Sequence, residues 1–131
     1  MRYTSIALLT ALLLLAACSS DGGEPAVAFE DLSDGDTVTS PVEVSFDVTD
    51  FEVEEAGEVV DGAGHMHVMV NTPCVTPGEV IPSDDAHLHY GDGSTSTTLE
   101  LEPGEYSLCL QAGDGAHTAL DLTDEVSITV E

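Results

Sequence analysis

Apolar and polar residues alternate along most of this 131-residue chain, and that period constrains its fold more than any other feature. Val42, Val44, Phe46 and Val48 alternate with Glu43, Ser45 and Asp47. Thr97, Leu99 and Leu101 alternate with Thr98, Glu100 and Glu102, and Tyr106, Leu108 and Leu110 with Ser107, Cys109 and Gln111. Val126, Ile128 and Val130 close the chain in the same way. A period of two places one face of a strand in a core and the other in water. Val27 to Phe29 reads as a short first strand, followed by the turn-rich Ser33-Asp34-Gly35-Asp36. Pro103-Gly104 is a turn signal, expected to join its flanking strands into a hairpin. No segment carries a helical period. Short strands separated by turns predict an all-β domain, specifically an immunoglobulin-like Greek-key β-sandwich. Segments 50–64 and 71–86 read as long loops, which in a compact domain are often functional.

The N-terminus has a different character. Arg2 precedes an apolar run over residues 6–17, shorter than the roughly 20 residues a membrane-spanning helix needs. The run fits the apolar region of a signal peptide. Leu15-Ala16-Ala17-Cys18 resembles a bacterial lipoprotein box, in which Cys18 is lipidated, and the polar Ser19-Ser20-Asp21-Gly22-Gly23-Glu24-Pro25 resembles a tether. The expected organisation is a lipoprotein signal peptide over 1–17, a flexible tether over 18–25 and a β-sandwich domain over 26–131. The expected location is the extracytoplasmic face of a membrane in the cell envelope, held by acyl chains.

Charge removes whole classes of function. Arg2 is the only Lys or Arg, against 26 Asp and Glu, for a formal net charge of −25. Phosphate backbones require cations, so nucleic acid is excluded as a partner. A dense carboxylate surface suits a saline medium, where screening is strong, and also attracts cations. With Cys18 assigned to lipid, Cys74 and Cys109 form an even pair in an exported chain, which predicts a disulfide. The alternative use is as a pair of thiolate ligands.

The histidines are concentrated in a pattern. His65-Met66-His67 and His87-Leu88-His89 are both His-x-His, and His117 follows in Gly113-Asp114-Gly115-Ala116-His117. On a strand each pair puts two imidazoles on one face. Met66, Val68 and Val70 are expected to face the core, leaving His65, His67 and Met69 on the other side. Leu88 and Tyr90 face inward, and His87 and His89 outward. Imidazole is the commonest transition-metal ligand among side chains, and Met66 and Met69 add thioethers that favour copper(I). His65, His67, His87, His89 and His117 are therefore candidate ligands for copper or zinc. The competing use is hydrogen bonding to loop carbonyls and to Asp84 or Asp85. If the histidines bind metal, affinity is expected to fall below about pH 6.5, or at higher pH if the acidic surface raises their pKa values.

Three blocks carry a resemblance to a known family: Gly64-His65-Met66-His67, then Ile81-Pro82-Ser83-Asp84-Asp85-Ala86-His87-Leu88-His89-Tyr90-Gly91-Asp92-Gly93, then Gly113-Asp114-Gly115-Ala116-His117. With Thr97-Thr98-Leu99-Glu100-Leu101, Pro103-Gly104 and the opening Asp34-Gly35-Asp36-Thr37-Val38-Thr39-Ser40-Pro41-Val42, the chain resembles the bacterial family known as domain of unknown function 4399. The resemblance covers essentially the whole domain. This sequence departs from it at Met66, Gly115 and Leu120, where many members carry histidine. The resemblance implies the fold and the motif positions, and no activity.

The reading that follows is a lipid-anchored extracytoplasmic binding or accessory module, not an enzyme, whose histidine cluster binds a divalent or copper ion. The alternative is a structural or interaction domain of the cell envelope whose histidines pin loops. A metal-dependent oxidoreductase ranks third. Copper and zinc superoxide dismutases combine a sandwich, a His-x-His strand and a disulfide, yet they steer an anion with positive charge that this domain lacks. No nucleophile elbow and no EF-hand spacing are present.

Overall fold

The computed structural model describes residues 22–131; the signal-peptide and Cys18 assignments, and the first half of the tether, lie outside the described residues. Among the described residues nine strands form: β1 (Ala26–Phe29), β2 (Asp36–Val38), β3 (Val42–Thr49), β4 (Glu52–Val53), β5 (Ala63–Val70), β6 (His87–Tyr90), β7 (Ser96–Leu99), β8 (Gly104–Gly113) and β9 (Ala119–Val130). One sheet has the order β1-β3-β7. The other runs β2-β9-β8-β5-β4, with β6 also paired to β5. The domain is an all-β sandwich of these two sheets.

The alternating residues build the space between them. Val27, Phe29, Val42, Val44, Phe46 and Leu99 come from the first sheet, and Met66, Val68, Leu108, Leu110, Val126, Ile128 and Val130 from the second. Burial of these side chains drives the packing, at about 1.5–3 kcal/mol for each large apolar one. Leu88 and Tyr90 pack against the same cluster.

Two expectations are corrected by the pairing. Pro103-Gly104 does not turn a hairpin: β7 pairs with β3, whereas β8 pairs with β5 and β9. The segment carries the chain from one sheet to the other. Segment 50–64 is not wholly loop, because β4 adds in parallel to the start of β5, with Glu52 opposite Ala63 and Val53 opposite Gly64. A second parallel pairing joins β2 to the end of β9.

The outer face of the larger sheet is covered as well. Met69, Cys109 and Ala119 pack there with Ile81, Cys74 and Val75 from segment 71–86. Hence β5 is buried at every residue but Val70, although its side chains still alternate between faces. The covering segment is fastened at several points. A Cys74–Cys109 disulfide bonds it to β8. Buried Gln111 accepts from the Val75 N–H at 2.8 Å and donates to the Val75 carbonyl at 2.8 Å. Gly78 and Ala119 are joined by a backbone bond, as are Ala119 and Glu79.

Candidate metal centre

Two strands and one turn deliver four imidazoles to one place on this outer face. His65 and His67 lie two residues apart on β5, so they share the face. On β6, His89 stands directly opposite His67 in the antiparallel ladder. On the other flank, His65 is paired with Gly113 and His67 with Gln111 of β8. The β8–β9 register shifts between Gln111 and Gly113, an irregularity of the kind that often sits beside functional sites. There the chain makes the turn that carries His117.

That turn is built on Asp114. Its Oδ1 accepts from the Ala116 and Thr118 N–H groups, each at 2.9 Å. Its carbonyl accepts from the His117 N–H at 2.9 Å, and the Ile81 N–H donates to the His117 carbonyl at 2.8 Å. His117 is thereby held at φ 67°, a left-handed conformation that costs a side-chain-bearing residue of order 1 kcal/mol and persists where its surroundings fix it.

The rings of His65, His67, His89 and His117 all lie within 4.6–6.1 Å of one another, centroid to centroid. Ligand atoms of His65, His67 and His89 fall within 4.8 Å of each other. His89 Nε2 is 3.1 Å from His65 Nε2 and 3.0 Å from His117 Nε2. One ring nitrogen carries either a proton or a lone pair, so His89 Nε2 cannot donate to one neighbour while accepting from the other. His65 Nδ1 and both nitrogens of His67 are buried and have no hydrogen-bond partner among the described residues. Each buried polar atom left so costs about 1–3 kcal/mol. As a hydrogen-bond network the cluster is frustrated; as a set of lone pairs around a cation it is coherent.

Burial and mutual repulsion favour the neutral form of His65, His67 and His89. Burial is the main cause that lowers the His65 pKa to about 4, helped by His89 and His117 and opposed by Asp114. His67 is lowered to about 3 by burial, then by His65, His89 and His117. His89 is lowered by burial and by His117, against the pull of Asp92. The acidic surface does not govern the buried rings: the expected upward shift of their pKa values is replaced by a downward one. Neutral imidazole is the ligating form.

Other candidate donors go elsewhere. His87 faces the same side as Met69, its ladder partner. Its ring, however, bonds Asp84 Oδ1 at 2.7 Å, and that carboxylate also accepts the His87 and Ala86 N–H groups. His87 is thus placed as a loop fastener outside the four-ring group, and its contact depresses the Asp84 pKa. Met66 points into the sandwich core, across the sheet from the histidines. Met69 packs with Ile81, Cys109 and Ala119. The thioethers thus lie in apolar clusters, and Cys74 and Cys109 are spent on each other.

Two glycines that sequence reading passed over seat the rings. A Cβ at Gly113 would come within 2.7 Å of His67 Cε1, and one at Gly91 would overlap the His89 ring. The signal was present as glycines at the ends of His-containing blocks, but their contacts are set by cross-strand register. An open cleft of about 510 Å³ reaches the centre, lined by His67, His89 and His117 and by Val80, Ile81, Pro82 and Ser83.

Among known families, a model described as a domain of unknown function (DUF4399) matches residues 44–131. No curated protein and no solved structure matches the chain.

Proposed function

This chain belongs to the DUF4399 family, a membership that brings no assigned activity, and from the site itself we propose that it is a metal-capturing module of the cell envelope. Its centre is His65, His67, His89 and His117, and its cargo is a divalent or copper ion. The observation that carries the reading is the convergence of His65, His67 and His89, whose ligand atoms lie within 4.8 Å of one another, with His117 Nε2 3.0 Å from His89 Nε2, beside buried imidazole nitrogens left without hydrogen-bond partners among the described residues. An ion takes one nitrogen from each ring. It would draw the close Nε2 lone pairs together and use one of the two His67 nitrogens, leaving the outer nitrogens of His65 and His67 for hydrogen bonds. The all-nitrogen donor set matches zinc and copper(II), and the carboxylate-rich surface concentrates cations near it. The Leu15 to Cys18 box supports a lipid anchor at the extracytoplasmic face, with no spanning segment required.

The test is metal titration of the full chain, followed by elemental analysis after desalting. Wild type should retain close to one copper or zinc ion. His117→Ala, on a surface turn, and His65→Gln/His67→Gln should lose affinity by at least tenfold, with folding checked by circular dichroism. His87→Ala should retain the ion. Equal retention by every variant would assign the cation to carboxylates and end the proposal.

A further inference from the structure

We infer that the centre is an open site which, loaded with copper(II), takes one exogenous nitrogen donor of the imidazole or amine class through the cleft beside Val80. This rests on the metal-capture reading and adds the open position and the class of external ligand.

Copper(II) suits the all-nitrogen donor set. Copper(I) would favour sulfur, and Met66 and Met69 are buried in apolar clusters.

The opening comes from which rings line the cleft. His67, His89 and His117 face it, and His65 is not among its walls. An approach from this side meets three of the four rings. Val80, Ile81 and Pro82 make much of the remaining wall apolar, which suits a donor on a small apolar ring or chain. Val80 is 68% exposed at the mouth. With a formal charge of −25 and no Lys or Arg after Arg2, the surface offers no cation to guide or pair an anion. A neutral donor enters without that penalty.

The experiment uses the full chain loaded with one equivalent of copper(II), with imidazole as the probe. Copper content is measured after desalting, before and after the titration. Imidazole should shift the visible d–d band and the electron paramagnetic resonance spectrum saturably, with copper retained and with azide requiring at least tenfold higher concentration. Val80→Trp should keep the copper and raise the half-saturating imidazole concentration at least tenfold. Val60→Trp, at another exposed valine outside the cleft walls, should respond as wild type. Copper bound without a spectral shift would overturn the open site and leave metal capture standing. Loss of copper to imidazole, or an unchanged response in Val80→Trp, would also overturn it. Failure to bind copper at all would end both readings.

Discussion

At the scale of single residues, the decisive property is that His65 and His67 are buried without being charged. Their pKa values, about 4 and about 3 against an ordinary 6.5, make a two-part prediction. In the metal-free protein the folded state resists protonation more than the unfolded chain does. The neutral rings therefore give full stability above about pH 6.5, and stability is lost as the pH falls towards the folded pKa values. For His65 alone the shift corresponds to about 3 kcal/mol. Urea midpoints compared between wild type and His65→Gln/His67→Gln should diverge between pH 6.5 and 4.5, with wild type losing more. For the metal-loaded protein, protons should compete only at low pH, so half the metal should remain bound at pH 5. A release midpoint at pH 6.5 would show that the rings titrate as if exposed. Gly113 belongs to this scale too, since Gly113→Ala would push a methyl group against the His67 ring.

At the scale of elements, segment 71–86 is a third layer on the sandwich, and its fastening is what encloses the centre. The disulfide closes a loop with a sequence separation of 35, which contributes on the order of 3–4 kcal/mol. Cys74→Ala/Cys109→Ala should lower unfolding stability by about that much. It should also weaken metal binding, because Ile81 would no longer be held beside the His117 carbonyl. Chemical denaturation and metal titration of the same variant check both; unchanged metal affinity would mean that the histidine turn stands without the layer above it. Alternation made β3, β8 and β9 legible in advance, and the two His-x-His pairs placed His65, His67 and His89 on their faces. What alternation could not show was which strands pair. Two-residue β4 has no period to read, the β2–β9 pairing joins distant segments, and Pro103-Gly104 carries the same signal whether the chain folds back or crosses between sheets. His87 and His89 are likewise identical as a motif. Asp84, three residues before His87, separates their roles, and only the folded turn brings that carboxylate to the ring.

At the scale of the whole molecule, the proposed anchor and the position of the centre bear on each other. Cys18→Ala should move the protein from the detergent phase to the aqueous phase in phase partitioning; unchanged partitioning would remove the lipid from the account. β1 begins beside the end of β3, with Ala26 opposite Thr49. From there the chain passes directly into β4, which lies along the start of β5 just ahead of His65. The tether therefore leaves the sandwich at the end that holds the histidines. Residues 18–25 reach at most about 30 Å even fully stretched. In an anchored molecule the centre would work within a few nanometres of the lipid headgroups, where its supply of ions is the thin layer condensed on the bilayer rather than the bulk fluid beyond it.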